Sequence, residues 1–260
     1  MILVTGAGGN VGRELTGLLP DARPLDRGTG ADLAKPDTLD AALREADAVF
    51  LVWPFLTRAG GTAVLERIAQ YARRVVYLSS SAVRFGADTD PITRLHAGLE
   101  AAVRESGVEW TILRADTFAS NALGWAGQLR SGDVVRGPDS AATAVIDPVD
   151  IAAVAAEVLR EPAPGTTLTL TGPEVVSRSD QVRILGAALG RELTFEPTPF
   201  EAARAQLLAD GRPPELVEAL IGSAQNRPAS DLITTTVQAH TGRPASTFHT
   251  WSTRNAPAFP

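Results

Sequence analysis

Short apolar runs alternate with stretches carrying apolar residues at every third or fourth position from Met1 to about Arg114. That alternation is the βαβ rhythm of a doubly wound parallel sheet, an α/β fold with helices on both faces. Strands are predicted at Ile2 to Thr5, Ala22 to Leu25, Ala48 to Val52, Val75 to Leu78 and Trp110 to Leu113. Helices are predicted over Thr38 to Ala46, Gly60 to Ala72 and Pro91 to Ser106, the last opened by Asp90 as N-cap and Pro91 in the first turn.

Beyond Asp116 the rhythm loosens. A helix is expected through Trp125, then a Gly/Pro-containing loop from Ser131 to Ala142, whose breaks at Gly132, Gly137 and Pro138 suit either a mobile lid or an idle surface loop. A helix from Pro148 to Leu159 behind Asp147, a strand at Thr166 to Leu170, a capped helix from Ser177 to Leu189 and a short strand at Leu193 to Glu196 follow. The remainder reads as helix broken at Gly211, Pro213, Pro214 and Pro228. The 260 residues are therefore expected to form one domain, with 1–130 as the dinucleotide-binding part and 131–260 mainly a smaller α+β substrate lobe and C-terminal helices. Phe248, Trp251 and Phe259 anchor the tail either on its own domain or on a second copy, so a homo-oligomer stays open.

The most informative stretch is MILVTGAGGNVGRELTGLL, Met1 to Leu19. A buried strand runs into Gly6, Gly9 and Gly12, a GxxGxxG turn, and Val11, Leu15, Leu18 and Leu19 make the apolar stripe of a helix. Bare glycine backbone lets a diphosphate come close, and the N–H groups at the start of the helix face its charge. Thr5, Gly6, Gly9, Asn10, Val11 and Gly12 are the candidate cofactor contacts. A glycine triplet alone is weak evidence, but one between a strand and a helix is specific.

Composition narrows the field. A net charge of −6 argues against sequence-independent nucleic-acid binding, which relies on a basic face. The sequence has no apolar run of membrane-spanning length, and Met1 stands directly before the first strand, so no membrane anchor or cleavable leader is expected and the cytoplasm is the expected location. The chain has no cysteine, and His96, His240 and His249 are far apart in sequence, so neither disulfide nor metal site is expected. Nothing matches a hydrolase triad, a Walker loop or a glycosidase carboxylate pair.

The chain resembles the NmrA-like branch of the atypical short-chain dehydrogenase/reductases. The resemblance rests on TGAGGNVG (Thr5 to Gly12), VVYLSSSAV (Val75 to Val83), HAGLE followed by SGVEWTILRADTFASN through Asn121, and, later, IDPVDIAAVAAEVL and LTGPEVVSRSD. It implies a Rossmann-type NAD(P)-binding fold with azo and quinone reductases among its members. Ordinary members of the wider superfamily use a Tyr-x-x-x-Lys pair, whose lysine lowers the phenol pKa so that it can protonate a nascent alkoxide. Here the only lysine is Lys35, and both tyrosines, Tyr71 and Tyr77, precede the helix that would hold the pair. Aligning that helix on Glu100 places His96 at the lysine position and Ile92 at the tyrosine position. Hydride addition to a quinone leaves a phenolate-type anion with a pKa on the order of 10, which solvent can protonate. Quinones, azo compounds and aromatic ketones conjugated to phenols are thus the expected acceptors, and an isolated ketone is not.

His96 reads either as a cofactor or proton-donating residue or as a solvent-facing partner of Glu100. Ser79, Ser80 and Ser81 follow the fourth strand, at the carboxyl edge where such sheets bind ligands, and either approach the nicotinamide (Ser80 or Ser81 foremost) or cap a turn. Asp26 stands where an acid holds the adenosine ribose, which points to NAD, and Arg27 beside it would attract a 2′-phosphate, which points to NADP. By resemblance Asp32 and Leu33 lie beside the adenine. The backbone of Val52, Trp53 and Pro54 should pass the cofactor, with the Trp53 and Phe55 rings facing the cleft. Phe118, Asn121 and Trp125 are the candidate opposite wall for a small aromatic substrate. Arg84 and Arg114 either bind a substrate anion or carbonyl, or pair with carboxylates. The leading expectation is an NAD(P)H-dependent reductase. The alternative is a non-catalytic NAD(P) sensor acting through a protein partner.

Overall fold

The computed structural model of the chain describes residues 1–25, 28 and 30–260. Asp26 and Arg27, the residues expected to distinguish NAD from NADP, lie outside the described residues. Among the described residues eight strands are formed: β1 (Ile2–Thr5), β2 (Arg23–Leu25), β3 (Ala48–Leu51), β4 (Arg74–Ser80), β5 (Glu109–Ala115), β6 (Val134–Pro138), β7 (Thr166–Leu170) and β8 (Thr194–Thr198). Six of them make one parallel sheet in the order β2-β1-β3-β4-β5-β7. The chain turns back on itself at β1, with β2 on one side and β3 on the other, which opens a crevice at the carboxyl edge.

The helices are α1 (Asn10–Leu18), α2 (Asp40–Leu43), α3 (Gly61–Tyr71), α4 (Pro91–Glu105), α5 (Ala126–Leu129), α6 (Pro148–Arg160), α7 (Arg178–Leu189), α8 (Phe200–Ala209), α9 (Pro214–Asn226), α10 (Thr236–Thr241) and α11 (Phe248–Asn255). Strand residues alternate between two cores. Leu3, Val49, Leu51, Val75 and Tyr77 pack with Val64, Leu65, Ile68, Leu95, Leu99 and Val103 of α3 and α4. Val4, Phe50, Val76 and Leu78 pack with Val11 and Leu15 of α1 and with Ile151, Val154, Ala155 and Val158 of α6. Each large side chain so buried contributes about 1.5–3 kcal/mol relative to exposure.

Three expectations are corrected. Residues 131–142 are not simply a loop: β6 pairs in parallel with β8, because Val134 and Val135 offer β-branched residues to a partner 60 positions on (Val134 opposite Thr194). Within 131–260, expected to be mainly lobe and C-terminal helices, β7 is the sixth strand of the large sheet and α6 covers its face. The helix through Trp125 is chiefly a 3₁₀ turn, Ala119–Trp125, leading into α5, and the helix expected from Thr38 shortens to α2 behind a 3₁₀ turn at Pro36–Leu39. The predicted caps, by contrast, form as read: Asp90 accepts from the Ile92 and Thr93 N–H groups, and Ser177 and Asp180 make a reciprocal capping box.

The C-terminal segment is locked down by charge as well as by packing. Arg227, Arg243 and Arg254 pair with Asp116, Asp150 and Asp147, whose carboxylates are almost wholly buried. Trp251 stacks on Phe248 and meets Phe259 edge-on, and all three rings are buried in the lobe core with Trp125 and Val182. Among the described residues no helix is long and apolar enough to cross a membrane.

Candidate dinucleotide cleft

At the carboxyl edge of β1 a cleft of about 520 Å³ opens between the glycine turn and the chain that follows β2 and β3. Its floor is Thr5, Gly6, Ala7 and Gly8; Leu25 and residues 31–34 form one wall, and Pro54 and Phe55 the other. That volume suits a cofactor-sized ligand.

The turn's geometry accounts for its glycines. Gly6 has φ +63°, a left-handed conformation that disfavours any side chain. A Cβ on Gly12 would lie 2.2 Å from the Gly6 carbonyl oxygen, so only glycine lets α1 start so close to the turn. A Cβ on Gly8, in contrast, would meet nothing within 4 Å, which leaves the cleft side of the turn open. Gly9 is the N-cap of α1; no side chain caps that end and no acid stands in its first turn. The first N–H groups of α1, including that of Val11, are therefore available to an anion, while the Val11 side chain itself is core. A bare-backbone cradle with a positive dipole end fits the diphosphate of NAD(P)H.

The other cofactor candidates divide into lining and scaffold. Thr5 Oγ1 donates to the Val52 carbonyl and accepts from the Val52 N–H at 2.7 Å, tying the ends of β1 and β3 together beside the cleft. Asn10 Nδ2 donates to Ser120 Oγ, which joins α1 to the turn after β5. Asp32 Oδ1 accepts from the Ala34 N–H, so it shapes the turn that follows β2 as well as lining the cleft, and Leu33 supplies an apolar wall. Pro54 and Phe55 line the cleft as the wall facing Leu25 and residues 31–34. The expected orientation of Trp53 is corrected: its ring is core, its Nε1–H donates to the Thr57 carbonyl, and Phe55 packs on it edge-on at 5.1 Å.

The serines and His96 are more engaged than a free active-site role requires. Ser80 caps the 3₁₀ turn Ser81–Phe85 by accepting from the Ala82 N–H. Ser79 Oγ donates to Glu100 at 2.7 Å, and Arg114 holds that carboxylate with two bonds of 2.8 and 2.6 Å. Burial pulls the Glu100 carboxyl upward, but hydrogen bonds from Arg114, Ser79 and Arg104 outweigh it and keep it below the usual carboxylate range. Arg114 is thus a carboxylate partner, the second of its two readings. Ser81 is fully buried and donates to Asp116, which Arg227 also holds.

His96 is not a solvent-facing partner of Glu100. Its Nδ1 lies 2.7 Å from the Tyr77 hydroxyl, and burial pushes the imidazole down to about 4. Burial, reinforced by the Glu100 charge, pushes the Tyr77 phenol well above its ordinary range. Tyr77 was not singled out from the sequence. The available signal was periodic: period two places Tyr77 and Ser79 on one face of β4, and four-residue spacing places His96 and Glu100 on one face of α4. Lys35 is exposed in the turn after Asp32, and Tyr71 ends α3.

The expected substrate wall is only partly assembled. Phe118 is half-buried against the α6 face of the sheet and Asn121 is exposed. Trp125 is corrected from wall to lobe core, with the Arg178 guanidinium 5.5 Å over its ring. Arg84 is half-buried after β4, donates to Ser230 Oγ and lies 4.6 Å over the Phe85 ring. Arg227 and Ser230 were missed entirely, because no local pattern links them to partners more than a hundred residues earlier.

Comparison with known proteins fits this cleft. Residues 20–162 match the model of a family described as NAD(P)H-binding. Over its full length the chain is 41% identical to a (4-alkanoyl-5-oxo-2,5-dihydrofuran-3-yl)methyl phosphate reductase of Streptomyces griseus, covering 99% of it. It is 31% identical to an NAD(P)H azoreductase of Xenophilus azovorans, again over all of this chain and 99% of the relative. Among solved structures, an NADPH-dependent quinone oxidoreductase of Escherichia coli in complex with NADPH aligns with TM-score 0.81 at 21% identity, over 98% of this chain and 99% of that one. A triphenylmethane reductase of Citrobacter sp. complexed with NADP(H) aligns with TM-score 0.80 at 18% identity, over 98% and 100%.

Proposed function

We propose, from the premise that the chain belongs to the NAD(P)H-binding family and is an NAD(P)H-dependent oxidoreductase, that it reduces flat, conjugated acceptors whose reduced form is a stabilised anion. Quinones, hydroxyaryl azo compounds, whose hydrazone tautomer takes up hydride to leave a phenolate, and acyl-conjugated enones make up that class. The observation that carries the reading is the Tyr77–His96 pair: the phenol nearest the carboxyl edge is bonded to an imidazole, and both groups are held neutral.

Bound NAD(P)H supplies a hydride. The chain's own part is to bind, orient and exclude water. The glycine turn and the start of α1 hold the diphosphate, Asp32 and Leu33 shape the adenine side, and Pro54 and Phe55 close the cleft wall after β3. Water exclusion there strengthens the helix-terminus field on the diphosphate. A phenol raised by burial is a poor proton donor and a neutral imidazole a weak one, so neither offers the acid that a simple alkoxide would need. An acceptor that leaves a phenolate or the enolate of a 1,3-dicarbonyl needs no such acid, because the conjugate acid has a pKa on the order of 10 and water can protonate the anion.

The names of the relatives support this chemistry. One acts on a dihydrofuran carrying oxo and alkanoyl groups and another is an azoreductase. Anaerobic stopped-flow mixing of the NADPH- or NADH-loaded protein with quinones, azo dyes, acyl-dihydrofuranones and simple dialkyl ketones tests the reading. Rapid loss of nicotinamide absorbance is expected with the conjugated acceptors and none with the dialkyl ketones. Oxidation by dialkyl ketones at a comparable rate would overturn it.

A further inference from the structure

Among the described residues one guanidinium is bonded to the floor of the cleft, that of Arg13, which donates to the Gly8 carbonyl at 3.5 Å. Arg13 is exposed and forms no ion pair there. It stands at the end of the first turn of α1, where a cation opposes the positive end of the helix dipole. One neutral carbonyl at long range compensates that only weakly, whereas an anion over the turn reverses the balance. Glu14, the nearest acid along the chain, turns about 100° away round the helix.

The direction of the side chain says which anion. Successive helical residues step by about 100°, so Asn10 and Arg13 lie about 60° apart on the solvent side of α1, opposite the buried Val11, Gly12 and Leu15. They occupy opposite shoulders of the helix. Asn10 has the shoulder that faces the turn after β5, where it donates to Ser120. Since β5 lies on the β3 side of β1, the Arg13 shoulder faces β2. A dinucleotide held at such a turn has its adenosine ribose by the end of β2, and its 2′ position is read there. A Cβ on Gly8 would meet nothing within 4 Å, so the space over the turn beneath the guanidinium is open to a ligand.

We infer that Arg13 receives the 2′-phosphate of NADPH and makes the chain prefer NADPH to NADH. The inference rests on the cofactor reading of the cleft and deepens it, naming the form of the coenzyme and a side chain that selects it. A 2′-phosphate offers three charged acceptor oxygens to the planar fork of donors, and the 2′-hydroxyl of NADH offers a single neutral one.

The test is calorimetric titration of NADPH and of NADH, with no acceptor present, into the unaltered protein, Arg13→Gln and Arg13→Lys. The unaltered protein should bind NADPH more tightly than NADH, and added salt should erode the difference. Arg13→Gln should weaken NADPH by about tenfold, the worth of a charge-assisted bond, while NADH stays within about twofold and so reports an intact cleft. Arg13→Lys keeps the charge and loses the fork, so it should recover part of the loss. Arg27 is left in place throughout, so that a change in the ratio belongs to Arg13. No preference in the unaltered protein, or an unchanged NADPH-to-NADH ratio in Arg13→Gln, would overturn the inference and leave the cofactor reading standing. Equal weakening of both coenzymes would also overturn it, by assigning Arg13 to the diphosphate that they share. If the unaltered protein binds neither coenzyme, the cofactor reading itself fails and takes the inference with it.

Discussion

The hydroxyl of Tyr77 on β4 lies 2.7 Å from Nδ1 of His96 on α4, so the phenol and the imidazole nearest the reacting end of the sheet satisfy each other. In an ordinary short-chain reductase a phenol would face the substrate and give it a proton. Replacing Tyr77 with Phe leaves His96 Nδ1 buried without a partner, and unfolding measurements should record a loss of about 1–3 kcal/mol. The turnover rate with a quinone should stay within about threefold. A fall of about 10²–10⁴, the usual worth of a general acid, would mean that the phenol does reach the substrate.

His96 also sets an acid limit. Its folded pKa of about 4 lies below the ordinary 6.5, so between these values the unfolded chain binds a proton that the folded one refuses. Stability present above pH 6.5 is therefore lost as the pH falls toward 4, by about 3 kcal/mol from this group. Glu100, held low, adds its own loss only at lower pH, as it becomes protonated. Urea midpoints measured between pH 7 and 4 should fall, and His96→Asn should flatten that slope.

The glycine turn separates folding from binding. Gly12→Ala forces a Cβ into the Gly6 carbonyl, so both melting temperature and coenzyme affinity should drop sharply. Gly8→Asp meets no neighbour, so the fold should hold. Its carboxylate would face the diphosphate, and calorimetry should find coenzyme binding weakened by about tenfold or more at low salt. Unchanged affinity in Gly8→Asp would place the diphosphate elsewhere.

Glu100 is a buried carboxylate with its charge met by Arg114 and Arg104. Arg114→Met should destabilise the protein by about 3–5 kcal/mol, because it strips the bidentate partner from a charge that cannot reach water. The double variant Glu100→Gln with Arg114→Met should recover part of that loss. A single variant within about 0.5 kcal/mol of the unaltered protein would show that Arg104 and Ser79 suffice.

The sequence by itself determined the parallel strands, the helices that cover them, the caps at Asp90 and Ser177, and the glycine turn. Each depends on contacts within a few residues or on a regular period, and both are written locally in the chain. It did not determine that β6 finds β8, or that β7 completes the large sheet, because pairing between distant strands leaves no mark on either one. The direction of a side chain was equally out of reach. Trp53 and Trp125 carry the same apolar character in a cleft wall as in a core, and only packing sent both inward. The Tyr77–His96, Arg84–Ser230 and Arg227–Ser81 bonds exist because folding brings together groups up to 146 residues apart and removes the water that would otherwise satisfy them.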